Sequence, residues 1–229
     1  MDEMRKNQFP QIQGYIFDLD GTLIDSERMI VEEVNQILPE YGIGPEEIDA
    51  YTQAMRGLNH AEGEKVFHRF FEGRVQYSSY QALLLKRVRE KIEEGGLHLM
   101  PGARAMVNFA KAHGKIALAT STPEVLAWKK LEAVGLDKDF DLCVFGDHVL
   151  VSKPDPQIFF MAASGLGLDP ERVLILEDSN NGALAGISGG FPTFFIEDLS
   201  KPQPLVLEKV QGFFSNLEEA LTFLEEIFD

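Results

Sequence analysis

Five short, largely apolar runs constrain the fold of this chain more than any other feature: Tyr15–Asp18, Ile116–Thr120, Leu142–Phe145, Val173–Glu177 and Thr193–Ile196. A strand with one wet face alternates apolar and polar residues, so continuous apolar runs suit strands buried on both faces of a parallel sheet. Helical signals follow them. Thr122-Pro123-Glu124 offers an N-cap with proline at the first helical position, and Gly135 offers the matching C-cap. Ser215-Asn216-Leu217-Glu218 reads as a capping box, with Leu217, Leu221 and Leu224 behind it at helical spacing. The alternation predicts an α/β fold, a doubly wound, Rossmann-like parallel sheet.

One segment breaks the alternation. Between about Glu27 and Gly96 no strand pattern occurs, and helices are predicted over Glu27–Tyr41, Pro45–Met55, Glu62–Phe71 and Ser79–Glu94. Gly42, Gly44-Pro45, Gly57 and Gly95-Gly96 punctuate them. Four helices are more than one crossover requires. The expectation is therefore an inserted all-α cap domain of residues 27–96, with residues 1–26 and 97–229 forming the α/β core. A chain of 229 residues, 45% hydrophobic, is large enough for both.

Composition excludes several partners. A formal charge of -16 argues against sequence-independent nucleic-acid binding and against anionic membrane surfaces. A small anionic substrate remains compatible, because a metal ion and one or two local cations can reverse the field inside a pocket. The single cysteine, Cys143, permits no intrachain disulfide and lies in an apolar run, as a core residue would. Residues 1–13 carry no apolar stretch of the kind a secretory signal needs, and no run approaches 18 apolar residues. These features predict a cytoplasmic protein acting on a small molecule, as a monomer.

The chemistry lies at the strand ends. The first run continues as Asp18-Leu19-Asp20-Gly21-Thr22, two carboxylates on one side of a strand if the strand persists to Asp20. Two charges so placed raise one pKa unless a cation relieves them. Ligands of doubly wound sheets bind beyond the carboxyl ends of the strands, and three other ends also carry reactive groups. Thr120-Ser121-Thr122 brings hydroxyls and N–H groups, an anion site. Ser152-Lys153-Pro154-Asp155-Pro156 holds a lysine on a backbone restricted by proline. Glu177-Asp178-Ser179 brings two further acids, an oxygen-ligand set that with Asp18 and Asp20 suits Mg²⁺ better than zinc. Each has an ordinary reading taken singly, as turn, helix cap or loop lysine. Four such ends in this order do not.

Their order and content resemble the four motifs of the haloacid dehalogenase-like phosphohydrolases. The resemblance covers nearly the whole chain, with the helical insertion at the place of that family's C1 cap. Its β-phosphoglucomutase-like subgroup is matched by Asp25-Ser26-Glu27, Lys153-Pro154-x-Pro156 and Glu177-Asp178-Ser179-x-x-Gly182. The resemblance implies Asp18 as nucleophile and Asp20 as general acid/base. It implies Mg²⁺ held by Asp18, the Asp20 carbonyl and Asp178, with Glu177 close by or acting through water. Thr120 and the N–H of Ser121 would bind a phosphate oxygen, and Lys153 would offset the charge of nucleophile and phosphate. An acid at position 20 points to a phosphate ester, because dehalogenases and phosphonatases of the superfamily typically lack it.

The activity so implied is Mg²⁺-dependent hydrolysis of a small phosphorylated metabolite. A sugar-phosphate mutase and a non-catalytic binding protein are the alternatives. Against the mutase, β-phosphoglucomutases carry a histidine five residues after the position of Asp25, where this chain has Ile30. Substrate choice is expected to lie in Met55-Arg56-Gly57-Leu58-Asn59-His60 of the cap. Arg56, Gly57 and Asn59 are the candidate substrate-binding residues, and His60 is a weaker one. A solvated arginine ending a helix is the competing reading of Arg56.

Overall fold

The structure is a computed structural model that describes residues 12–55 and 60–228, with side chains described outside residues 56–62. Two compact units emerge. One runs to Ile24 and resumes at Leu99, and the other is Asp25–His98.

The first unit is built on six parallel strands: β1 Gly14–Phe17, β2 Lys115–Ala119, β3 Leu142–Val144, β4 Val173–Glu177, β5 Thr193–Ile196 and β6 Gly212–Phe214. Their order across the sheet is β3-β2-β1-β4-β5-β6. The fold is α/β and Rossmann-like. Strand β1 is central, with Phe17 in register with Leu118 on β2 and with Leu176 on β4. The chain therefore winds outward in one direction to β3 and in the other to β6, a topological switch across β1 and β4. All residues of β1, β4 and β5 are buried, as their unbroken apolar runs require.

Side chains alternate across β1 with the strand period of two. Ile16 faces helix α7 (Gln157–Leu166), where Ile158, Phe159, Ala162 and Leu166 pack beneath Ala117, Val144 and Ile175. Tyr15 and Phe17 turn to the other face, against Phe109 of α5 (Ala103–His113) and Phe140. Helices α6 (Glu124–Val134), α8 (Asn180–Ser188), α9 (Pro204–Lys209) and α10 (Leu217–Phe228) complete the unit. Among the described residues no helix is long and apolar enough to cross a membrane.

Several local expectations are corrected. Strands β1, β2 and β3 each stop one residue before the predicted end. Strand β6 has no counterpart among the predicted strands; three residues at a sheet edge, none of them buried, leave too little pattern to read. Thr122 does not cap α6. Pro123 takes the N-cap position, and Asp147 Oδ1 accepts the Glu124 N–H at 3.0 Å. The cap of α10 lies one residue later than predicted, with Asn216 Oδ1 accepting the Glu219 N–H at 3.0 Å. Gly135 does terminate α6, in the left-handed conformation at φ 68°.

The second unit contains α1 (Ser26–Ile37), α2 (Pro45–Met55), α3 (His60–Phe71) and α4 (Tyr77–Glu93), with no strand among its described residues. Helix α1 ends at Ile37 and continues as a 3₁₀ turn over Leu38–Tyr41, because Pro39 has no N–H for the α-helical ladder. The core of the unit gathers Ile37, Ile48, Tyr51, Phe67, Phe71 and Tyr80, with the Tyr51 and Phe71 rings 4.8 Å apart. The two chain crossings at the unit boundary run side by side. Ile24 and Leu99 form an antiparallel bridge, and the Asp25 N–H donates to the His98 carbonyl at 2.9 Å.

Candidate active site

The site grows from the carboxyl end of β1. The Asp18 N–H still bonds to the Leu176 carbonyl at 3.0 Å, after which the chain turns sharply. The Leu19 carbonyl accepts the N–H groups of Leu23 and Ile24, and the Gly21 N–H donates to the Ile24 carbonyl at 2.9 Å. Asp20 is therefore on a turn, and strand period does not relate it to Asp18. Gly21 is required twice over. Its φ is 84°, and a Cβ there would lie 2.3 Å from Asp178 Oδ2.

Asp18, Glu177 and Asp178 form one buried cluster, 6%, 1% and 3% exposed. A carboxylate oxygen from each lies within 4.8 Å of the others. Thr22, which closes the Asp18-Leu19-Asp20-Gly21-Thr22 motif but to which the sequence pattern assigns no role of its own, donates its hydroxyl to Asp178 Oδ1 at 2.9 Å. Lys153, preceding the cis bond to Pro154, donates to Asp18 Oδ1 at 2.5 Å, Glu177 Oε2 at 2.8 Å and the Ala119 carbonyl at 3.1 Å. Its three N–H groups thus have three acceptors. Glu177 Oε1 accepts the backbone N–H and hydroxyl of Ser179 at 3.1 and 2.7 Å. A Cβ at Gly182 would sit 2.0 Å from the Glu177 carboxyl carbon, so glycine there lets the acid lie against α8.

Three buried carboxylates face one ammonium. Burial, then the Glu177 charge, push the Asp18 carboxyl up to about 7 against the opposing pull of Lys153. Asp20 contributes least to that rise, so the predicted repulsion between Asp18 and Asp20 is secondary to desolvation and Glu177. Burial alone would lower the Lys153 pKa, but Asp18 and Glu177 outweigh it and the net shift is upward. A buried, oxygen-only donor set with excess negative charge fits a hard divalent cation.

A stability test follows from the raised Asp18. Between the ordinary carboxylate pKa near ~4 and about 7, the folded metal-free protein holds a proton that the unfolded chain releases. Stability is therefore lost as pH rises through that window. In EDTA at pH 8, Asp18→Asn should be more stable than wild type by about 2–4 kcal/mol, with the gap narrowing to about 1 kcal/mol at pH 5. Urea unfolding at both pH values measures it. Equal stabilities at pH 8 would contradict the buried-charge account.

The other predicted residues surround this cluster. Thr120, 1% exposed, donates its N–H to the Val144 carbonyl at 3.1 Å, and its hydroxyl oxygen accepts the Thr122 N–H at 3.1 Å. Ser121 follows it, exposed, at the end of β2. Asp20 is held by two side chains that the sequence pattern does not connect to it. The Thr122 hydroxyl donates to Oδ2 at 2.5 Å and the Lys130 ammonium donates to Oδ1. Lys130 is 3% exposed. Its signal in the sequence is a cation at position 130 of the buried stripe Ala127, Lys130, Leu131 on α6. Arg56, Gly57 and Asn59 lie outside the described residues, as does the His60 side chain. Cys143 is half-buried, and burial pushes its thiol up to about 11, against any nucleophilic role.

Sequence comparison agrees with this geometry. The residue pattern that defines the haloacid dehalogenase-like hydrolases matches residues 12–190. A phosphorylated carbohydrates phosphatase from Thermotoga maritima is 32% identical over 94% of this chain and 100% of its own length. A phosphoglycolate phosphatase from Yersinia pestis is 30% identical over 81% of each chain. Among solved structures, a T. maritima protein provisionally described as a β-phosphoglucomutase superposes with a TM-score of 0.77 at 30% identity, over 94% of this chain and 99% of that one. The chain belongs to the haloacid dehalogenase-like hydrolases. It is an enzyme, of the phosphomonoester hydrolase kind.

Proposed function

We propose that this enzyme is a Mg²⁺-dependent phosphatase that hydrolyses a small phosphorylated carbohydrate through an aspartyl phosphate on Asp18. The observation that carries the reading is the buried cluster of Asp18, Glu177 and Asp178 around Lys153 at the carboxyl ends of β1 and β4. The carbohydrate class is supported by the name of the T. maritima relative.

Asp18, Asp178 and the backbone carbonyl of Asp20 would hold the Mg²⁺, with Glu177 behind them because Lys153 and Ser179 already engage its oxygens. When bound, the ion supplies positive charge that offsets the nucleophile and the phosphate oxygens. An Asp18 oxygen attacks phosphorus as the bond to the leaving alcohol breaks, and Asp20 passes its proton to the departing oxygen. Asp20 then takes a proton from the water that attacks the aspartyl phosphate, returning Asp18 and releasing inorganic phosphate. Lys153 fixes the attacking carboxylate, and Thr120 with the Ser121 N–H orients the phosphoryl oxygens. Residues 25–98 act as a C1 cap that selects the substrate. No nucleic-acid or membrane partner enters this scheme.

One residue favours hydrolysis over the mutase reaction. Ile30 is apolar and packs against the core of its helical unit, offering no proton relay. A panel of sugar, sugar-alcohol and carboxylic-acid phosphates tests the proposal, with p-nitrophenyl phosphate as a chromogenic control. Phosphate release that requires Mg²⁺ and is strongest on a sugar or sugar-alcohol phosphate is expected. No release from any member would overturn phosphatase function. Interconversion of glucose 1-phosphate and glucose 6-phosphate with a bisphosphate primer would establish the mutase instead.

A further inference from the structure

The site contains a second buried lysine that the scheme above leaves without a task. Lys130 projects from the second turn of α6, is 3% exposed, and donates to Asp20 Oδ1. Asp20 Oδ2 meanwhile accepts the Thr122 hydroxyl. The two oxygens of the carboxylate are thus fixed by two donors from the β2–α6 segment, while Asp18 is fixed by Lys153 from a separate loop. A lysine so deeply buried serves poorly as packing, since its ammonium loses hydration that only a well-placed anion replaces. Here that anion is one of the two aspartates in the catalytic turn.

We propose that Lys130 is a positioning residue for Asp20: it holds Oδ1, so that once a proton from solvent is taken up on Oδ2 in place of the Thr122 hydroxyl bond, that proton is aimed at the leaving-group oxygen. The inference rests on Asp20 acting as the general acid of the proposed phosphatase. Lys130 itself touches no reacting atom. Its geometry matters because proton transfer falls off steeply when the acid leaves hydrogen-bond reach of its target.

The test uses leaving groups of different basicity. An alkyl phosphate expels an alkoxide-like oxygen that needs a proton, whereas p-nitrophenolate departs without one. The ratio kcat/KM covers only the steps through departure of the leaving group. In Lys130→Met, kcat/KM for an alkyl or sugar phosphate should fall by about 10- to 100-fold, while that for p-nitrophenyl phosphate stays within about threefold. Lys130→Arg, which keeps the cation, should recover most of the loss. In an Asp20→Asn background, Lys130→Met should bring no further change in leaving-group selectivity.

Equal losses on both substrates would overturn the proposal, since a generally disturbed site treats them alike. No loss on either would overturn it too. Should Lys130→Met not fold by circular dichroism, Lys130→Gln, a neutral donor of shorter reach, is put to the same comparison, and the same outcomes support or overturn the role. The underlying reading fails separately: a wild-type enzyme that releases no phosphate refutes the phosphatase, whereas an active wild type with unselective Lys130 variants refutes only the role of Lys130.

Discussion

Asp18→Asn should release phosphate at least about 10⁴-fold more slowly than wild type on every substrate, with Mg²⁺ saturating and the protein fully folded. The expectation is this large because the substitution removes the proposed nucleophile itself while conserving shape. An asparagine oxygen can still accept from Lys153, which now donates to Asp18 Oδ1 at 2.5 Å. Positioning and charge neutralisation survive, but no aspartyl phosphate forms. The measurement is single-turnover phosphate release, with trapping of phosphoenzyme from wild type as the positive control. Retention of a tenth of the wild-type rate would remove Asp18 from the nucleophile's role. Coupled with the gain in stability expected in EDTA, the variant would separate function from folding at one residue.

Lys153→Met should act in the opposite sense on stability. It withdraws the ammonium that donates to both Asp18 and Glu177, leaving carboxylates that are 6% and 1% exposed to repel one another. Breaking a buried pair from one side destabilises by about 3–5 kcal/mol, because the remaining charges have neither bulk water nor a cation, and Ser179 offers Glu177 only neutral donors. Acid should rescue the variant, since protonating Asp18 or Glu177 relieves the repulsion. Saturating Mg²⁺ should rescue it in part, by mass action on the folded state. Urea unfolding at pH 5 and pH 8, with and without Mg²⁺, measures all of this. A Met variant as stable as wild type at pH 8 in EDTA would mean the carboxylates are not charged together. Activity should fall by at least about 10³-fold, as removal of a preorganised charge from a dry site does.

What can be read from the sequence, and what cannot, divides along physical lines. The sheet is legible because Val173–Glu177 and its counterparts are apolar with little interruption, which suits strands buried on both faces. The acids and Lys153 are legible because each is a polar group set at or beyond the end of such a run. Strand β6 is hidden by its brevity and partial exposure. Thr122 looks like a helix cap because local sequence describes only local bonds, whereas its true acceptor is Asp20, 102 positions away. Lys130 is harder still. A lysine on an amphipathic helix ordinarily marks the wet side, and only its three-residue offset from Ala127 places it on the buried one. Interactions across long sequence separations leave no periodic trace, and the groups that position Asp20 are of that kind.

The paired chain crossings at 24–25 and 98–99 carry a consequence for how such an enzyme changes over time. Residues 25–98 leave and re-enter the sheet-bearing unit at adjacent points, joined by the Ile24–Leu99 bridge and the hydrogen bond from Asp25 to His98. A segment whose two ends already touch can be lengthened, shortened or replaced without prising open the strands it interrupts. The unit that carries the proposed hydrolytic site and the unit proposed to select its substrate are thus spliced rather than interwoven. One can diversify across descendants while the other is inherited intact.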